Sequence, residues 1–199
     1  MRTHYWAFGM TVLLFTGTVL VAEADTQQFH CKGGGTFTDG VETNIDTNGD
    51  GVSATVDQGA EVCNTGNAIF QEEVEWIPQT AVSADCPAGT TLELRITPTN
   101  GGQHRAVFTD TDTGDQVFGQ MTSAIQCINE STLKFTGHGQ GIIVGGTGGA
   151  TGASGTFTSH FTGSYRQIGF KNGVFGGFGQ YTFTANGTLI LLDDPITGQ

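Results

Sequence analysis

Alternation between apolar and polar residues recurs in short segments along this chain, and it restricts the fold more than any other feature. In the segment 157–165, one face carries every second residue: Phe157, Ser159, Phe161, Gly163 and Tyr165. The segment Thr91–Thr97 alternates in the same way. A period of two residues places successive side chains on opposite faces of a β-strand. Because no segment sustains the 3.6-residue period of an amphipathic helix, we predict an all-β protein.

Turn signals separate the strand candidates. The acidic segment Asp110–Asp115 predicts a hairpin turn, after which a return strand begins at Gln116. Near the carboxyl end, Asn186–Gly187 predicts a second hairpin turn, with residues 188–192 as the returning strand. About eight short strands at this spacing are typical of a sandwich or an antiparallel barrel.

Composition favours the barrel and excludes other classes. Glycine accounts for 32 of the 199 residues, and in the segment 173–179 it interrupts a strand pattern, as the tight bends or bulges of a barrel do. Closure also removes the sheet edges that this lysine-poor chain could not protect. Seven Lys and Arg against 19 Asp and Glu give a net charge of −12. The chain therefore lacks the basic surface that binds nucleic acid or anionic lipid.

The amino-terminal segment has the features of a secretory signal. Residues 6–22 carry no charge, and Ala22-Glu23-Ala24 has the small-x-small pattern of a cleavage site. A membrane anchor is the alternative, but the run is at the short edge for spanning a bilayer and no basic cluster follows it. We predict a signal peptide over residues 1–24 and a single β-barrel domain over 25–199. The mature protein is then secreted or periplasmic, with no membrane segment.

Four cysteines lie in the predicted mature chain: Cys31, Cys63, Cys86 and Cys127. An even number in an oxidising compartment favours two disulfides, and no Cys-x-x-Cys is present for zinc or redox chemistry. Three pairings are open. We favour Cys31–Cys63 with Cys86–Cys127, because each bridge then closes a local loop across neighbouring strands.

The segment 46–57 follows the twelve-residue ligand pattern of an EF-hand calcium loop. Gly51 holds the position where the chain must turn sharply. The predicted ligands are the side chains of Asp46, Asn48, Asp50 and Asp57 and the backbone carbonyl of Val52. The loop resembles those of dockerin modules, which also place Asp last. The alternative is a solvated turn, since the same residues turn a chain unaided.

The charge distribution around this loop favours a bound cation. Between Gly33 and Leu94 the chain carries eleven acidic residues and no Lys or Arg. Such a stretch repels itself unless a cation neutralises part of it. We therefore predict calcium as the cofactor.

A glycine-rich run spans residues 145–155. It lacks the third glycine of a dinucleotide-binding motif, because Thr151 stands there, and it lacks the Gly-Lys-Ser/Thr of a P-loop. Gly145–Gly148 followed by Gly152-Ala153-Ser154-Gly155 is instead similar to the allene oxide cyclase and dirigent barrel superfamily. The segment Cys86–Thr90 and the calcium loop also look like exported bacterial relatives of that group. The resemblance implies an eight-stranded antiparallel barrel, often dimeric or trimeric, and it places no catalytic residue here.

Motifs for catalysis are otherwise absent. The sequence contains no G-x-S-x-G and no H-E-x-x-H, and its histidines, including His104, are not spaced to bind a metal together. Glu93 and Arg95 share one strand face, where we expect an exposed pair because buried charges are rare. Whether the protein is an enzyme stays open, and the absence of catalytic motifs favours a non-enzymatic protein.

Three functions follow. The first is an exported calcium-binding barrel with a non-enzymatic binding or cell-surface role. The second is a barrel that binds a small hydrophobic molecule, with cyclase-like or dirigent-like steering of its reaction. The third is a subunit of an extracellular assembly, such as a homo-oligomer. A solidly filled barrel favours the first, and a cavity lined by Phe and Tyr with one or two buried carboxylates favours the second.

Overall fold

The computed structural model describes residues 24–39, 54–171 and 174–192. Ten strands account for most of them. They are β1 (Ala24–Asp39), β2 (Thr55–Cys63), β3 (Gly66–Glu75), β4 (Ile77–Pro78), β5 (Leu92–Ile96), β6 (Gln103–Asp110), β7 (Gln116–Asn129), β8 (Lys134–Gly146), β9 (Ser154–Lys171) and β10 (Val174–Leu192). A short 3-10 turn at Gly148–Ala150 joins β8 to β9.

The strands close into an antiparallel barrel in the order β7-β6-β3-β2-β1-β10-β9-β8, with β8 pairing back onto β7. Strand β7 pairs with β6 through its first residues and with β5 through Ala124–Ile128, along the same edge. Strands β5 and β6 therefore occupy one position in the barrel. The strand before it is likewise made of two segments, since β3 pairs with β6 and the two-residue β4 pairs with β5. The prediction of an all-β, eight-stranded antiparallel barrel is confirmed.

Both predicted disulfides are present. Cys31 and Cys63 are direct neighbours across β1 and β2, and their sulfurs are bonded. The Cys86–Cys127 bond ties the loop between β4 and β5 to β7. The favoured pairing is thus confirmed: one bond joins neighbouring strands, and the other ties a loop to the strand beside β5.

Glycines opposite aromatic rings explain why this barrel contains so much of both. At Gly33, a Cβ atom would lie 2.6 Å from Cζ of Phe183, which occupies the facing position on the next strand. The ring can lie flat against the neighbouring backbone only because that backbone carries no side chain. This arrangement occurs at seven register pairs in all: Phe29–Gly187, Phe37–Gly179, Phe183–Gly33, Phe70–Gly59, Phe135–Gly163, Phe161–Gly137 and Phe157–Gly141.

One predicted turn is correct and another is wrong. The turn at Asp110–Asp115 joins β6 to β7 as expected. Asn186 and Gly187, however, lie inside the continuous strand β10. Gly187 is paired there with Phe29 and Phe157, one on each neighbouring strand. Gly187 is explained by the Phe29 ring, which occupies the space where a side chain would lie, and not by a turn.

The pair Glu93–Arg95 is also placed differently from the prediction. Glu93 is only 2 % exposed, because residues 79–91 fold over this face of β5. Its carboxylate accepts hydrogen bonds from the Ser83 N–H, at 2.7 Å, and from Arg95. Burial acts to raise the pKa of Glu93, but these hydrogen bonds outweigh it and hold the pKa below its ordinary value. A buried charge is tolerated here because it is paired.

Candidate functional site inside the barrel

The barrel encloses a cavity of about 400 Å³. Its mouth lies at the end formed by the β2–β3 turn, the β6–β7 turn and the Gly149–Ala150 segment. At the other end, Phe37 and Phe135 form the floor, as part of a buried cluster with Leu94, Ile128 and Tyr165. The interior is therefore closed below and accessible from one end.

The rings of Tyr181 and Phe183 form one wall of the cavity, and the buried Phe70 packs against both of them. Phe70 of β3 lies with its ring centroid 5.5 Å from that of Phe183 and 6.4 Å from that of Tyr181, both on β10. Two strands separate β3 from β10, yet the rings meet because Gly33 and Gly59 occupy the facing positions between them. Glycine at these positions thus shapes an apolar interior rather than a loop.

Carboxylates from β2 and β3 point into the same cavity. Asp57 and Glu72 are direct neighbours across these two strands. Glu61 lies further toward the mouth on β2 and is 8 % exposed. Three acidic side chains thus line an interior that is otherwise largely apolar.

His104 of β6 is 1 % exposed and lies beside this acidic group. Its Nδ1 atom accepts a hydrogen bond of 3.1 Å from the backbone N–H of Met121, next to an irregularity in the register of β7. A nitrogen that accepts a hydrogen bond carries no proton, so the ring is neutral and its proton is on Nε2. That atom lies 3.6 Å from Oε2 of Glu72.

Two more polar side chains are buried in the cavity lining. Gln126 and Ser159 are 5 % and 6 % exposed. Among the described residues, neither the Gln126 Oε1 atom nor the Ser159 Oγ atom has a hydrogen-bond partner. Leaving such groups unpaired costs about 1–3 kcal/mol each, so both can gain from a ligand that hydrogen-bonds to them.

Burial and mutual repulsion change the ionisation of this site. Burial, together with the charge of Glu72, raises the pKa of Glu61 from 4.5 to about 7. Burial and the neighbouring carboxylates Glu72 and Asp57 raise the pKa of Tyr181, which therefore stays protonated. Near neutral pH the cavity contains a carboxyl group that can both donate and accept a proton.

The geometry does not support a compact metal site among the described residues. Within residues 24–39, 54–171 and 174–192, only Cys31, Glu61 and Cys63 bring three potential ligand atoms within 4.8 Å of one another. The two cysteines are joined in a disulfide and offer no thiolate. The lumen carboxylates are too dispersed to form another such group.

The predicted calcium loop is only partly covered by the structure. Asp57 lies in β2 and lines the cavity, opposite Glu72. Asp46, Asn48, Asp50 and Val52 lie outside the described residues, as do residues 1–23 of the predicted signal peptide. The calcium site and the signal peptide stay predictions. In the described ranges, no helix is long and apolar enough to cross a membrane.

Sequence reasoning did not single out Glu61, Glu72 and His104 as a site. A signal was nevertheless present, because Glu72 alternates with Phe70 and Val74 on one face of β3. An acidic residue in phase with buried apolar residues indicates a polar group in an interior. The alternation was hidden by the neighbouring acidic residues Glu73 and Glu75.

Comparisons of the chain with protein-family models, with curated proteins and with solved structures each found no match. The eight-stranded antiparallel barrel with two disulfides is compatible with a barrel superfamily. The function must therefore be argued from the cavity itself.

Proposed function

We propose that this protein is an exported, disulfide-bonded barrel that binds a small, largely apolar molecule in its interior. The observation that carries the proposal is the aromatic cavity of about 400 Å³ with polar groups buried in its wall. Ligand sites in proteins typically measure about 300–1,000 Å³ and combine apolar walls with a few polar groups. A filled barrel would have favoured the first of the three functions, and this cavity favours the second.

The energetics of the interior agree with such a ligand. Phe157, Phe183 and Tyr181 offer apolar surface, whose removal from water contributes about 25 cal/mol per Å². The unpaired oxygens of Gln126 and Ser159 can form hydrogen bonds with a ligand that also carries a polar group. A small amphipathic molecule would satisfy both demands.

Affiliation with the allene oxide cyclase and dirigent barrels is part of the proposal. Its support is the layout around the glycine-rich run, in which β8 ends at Gly146, a turn follows at Gly148–Ala150 and β9 begins at Ser154. We keep calcium binding at the 46–57 loop as a stabilising feature of the same exported protein.

Steering of a reaction is a second candidate within this function. Glu61, whose pKa lies at about 7, has the acid–base properties that proton transfer near neutral pH requires. Turnover of a bound ligand that is slower in Glu61→Gln than in the wild type would support this second candidate.

Titration with N-phenyl-1-naphthylamine, a neutral apolar dye that fluoresces strongly out of water, tests the proposal. Ala185 faces the cavity, whereas Thr184, its neighbour on β10, is exposed on the outer surface. We expect saturable binding to the wild type and to Thr184→Phe, and at least a tenfold loss of affinity in Ala185→Phe, whose ring would occupy the lumen. Circular dichroism establishes that both variants fold.

Two results would overturn the proposal. One is the absence of saturable dye binding to the folded wild type. The other is equal affinity of folded Ala185→Phe and Thr184→Phe, since the dye would then bind outside the cavity.

A further inference from the structure

We propose that the cavity selects a ligand whose polar group is a positively charged amine, an inference that rests on the proposed function. Asp57, Glu61 and Glu72 line the cavity, and none of the described Lys or Arg residues does. The charged groups of the lining therefore have one sign. An ammonium group compensates such an interior, while an anion would be repelled by it.

The imidazole in the lining does not offset this charge. His104 accepts the Met121 N–H at Nδ1, so the ring is neutral. Its Nε2 atom lies 3.6 Å from Oε2 of Glu72, slightly beyond hydrogen-bond distance. The ring thus lies beside the carboxylate without adding a positive charge.

The unpaired polar atoms also suit an amine. Gln126 Oε1 is a hydrogen-bond acceptor and Ser159 Oγ can act as one, and both are buried without a partner among the described residues. An ammonium group brings three donors and no acceptor. Its donors can therefore pair with either of these oxygens or with a carboxylate of the lining, whereas a carboxylate ligand would find mainly acceptors.

Aromatic faces add a further attraction for cations. Phe183 and Tyr181 are in ring contact with each other, and both line the cavity together with the carboxylates. A cation within about 6 Å of an aromatic face gains about 0.5–2 kcal/mol, most when water is excluded. Because the carboxylates do not converge as metal ligands do, this wall fits an organic cation with an apolar body better than a bare metal ion.

The mouth carries negative charge as well. Asp110 and Asp115 lie at the rim. Hydrogen bonds from the backbone N–H groups of Thr113 and Asp112 hold the pKa of Asp110 below its ordinary value. Together with the net charge of −12, this rim attracts cations toward the opening.

Three probes with one ring system test the inference: 2-(1-naphthyl)ethylamine, 2-(1-naphthyl)ethanol and 1-naphthylacetic acid. Their affinities are measured by calorimetry at pH 8 with EDTA present, so that calcium in the 46–57 loop plays no part. Glu72→Gln removes a carboxylate from the lumen. Glu73→Gln removes one from the outer face of the same strand and is the matched control, because both variants have the same net charge.

We expect the amine to bind the wild type at least tenfold more tightly than the alcohol, and the acid more weakly than either. Glu72→Gln should lose about tenfold in amine affinity and keep its affinity for the alcohol, while Glu73→Gln changes neither. Equal binding of amine and alcohol, or equal losses in the two variants, would overturn the inference and leave the proposed function standing. If neither amine nor alcohol binds, the proposed function fails with it.

Discussion

Replacing Glu61 with glutamine separates the cost of burying this carboxyl from every other contribution to stability. Glu61 is 8 % exposed, and burial together with the charge of Glu72 raises its pKa from 4.5 to about 7. Glutamine has nearly the same shape but cannot ionise. The variant therefore retains the packing and removes the titration.

The sign follows from proton binding. Between pH 4.5 and about 7, the folded state binds the Glu61 proton more tightly than the unfolded state does, so stability falls as the pH rises. Below pH 4.5 both states are protonated and Glu61 contributes no penalty. Above pH 7 the full penalty is present. At about 1.4 kcal/mol per pH unit, this change of pKa corresponds to roughly 3 kcal/mol.

Urea unfolding of wild type and Glu61→Gln between pH 4 and pH 8.5 measures this difference. We expect the gap between the two free energies of unfolding to move by about 3 kcal/mol in favour of the variant as the pH rises from 4 to 8. Glu73→Gln, on the outer face of β3, controls for the loss of one carboxylate from an acidic chain.

A gap between Glu61→Gln and wild type that stays constant with pH would refute the reasoning. So would a gap that moves by the same amount in Glu73→Gln, because the effect would then come from net charge. A gap that moves in the opposite direction would mean that Glu61 is stabilised as a carboxylate in the folded protein.

Two further predictions concern the glycine positions and the calcium loop. Gly33→Ala should destabilise the barrel by about 1–3 kcal/mol, because the new Cβ lies 2.6 Å from Phe183 Cζ and 2.7 Å from the Ala60 carbonyl oxygen. Urea unfolding measures this loss of stability, and adding Phe183→Leu to Gly33→Ala should recover part of it. An unchanged free energy of unfolding in Gly33→Ala would contradict the packing explanation. For the loop, millimolar calcium should raise the melting temperature by several degrees over EDTA, since binding at about 100 times Kd adds about 2.7 kcal/mol. Asp46→Ala should abolish the shift, and an equal shift in that variant would show that the 46–57 loop is not the site.

Local pattern was sufficient for the strands and the disulfides. The alternation in 157–165 reports which side chains face inward, and this depends only on the two-residue period of a strand. The cysteines pair as expected, because Cys31 and Cys63 lie on neighbouring strands and Cys86 precedes β5, which pairs with β7 at Cys127. The alternation needs only the geometry of one strand, whereas the disulfide pairing was a preference for local loops that the structure confirms.

The local sequence pattern was misleading where the role of a residue depends on another segment that packs against it. Gly187 has the sequence signature of a turn, yet it lies in mid-strand because Phe29 of β1 occupies the space where its side chain would be. Glu93 and Arg95 were expected at the surface, and residues 79–91 cover them. Phe29 is far from Gly187 in the sequence, and residues 79–91, although close to Glu93, have no periodic pattern that predicts how they fold over β5.

The amino-acid sequence by itself determined which residues face inward, because that property follows from the backbone geometry of each strand alone. Only the tertiary structure decided which inward residues meet. Pairing of β2, β3 and β6 brings Asp57, Glu72 and His104 together, and the curvature of the sheet places Tyr181 of β10 beside them. The register of the strand pairs sets these contacts, and between β1 and β10, β2 and β3, and β8 and β9 it depends on the fit of rings against glycines.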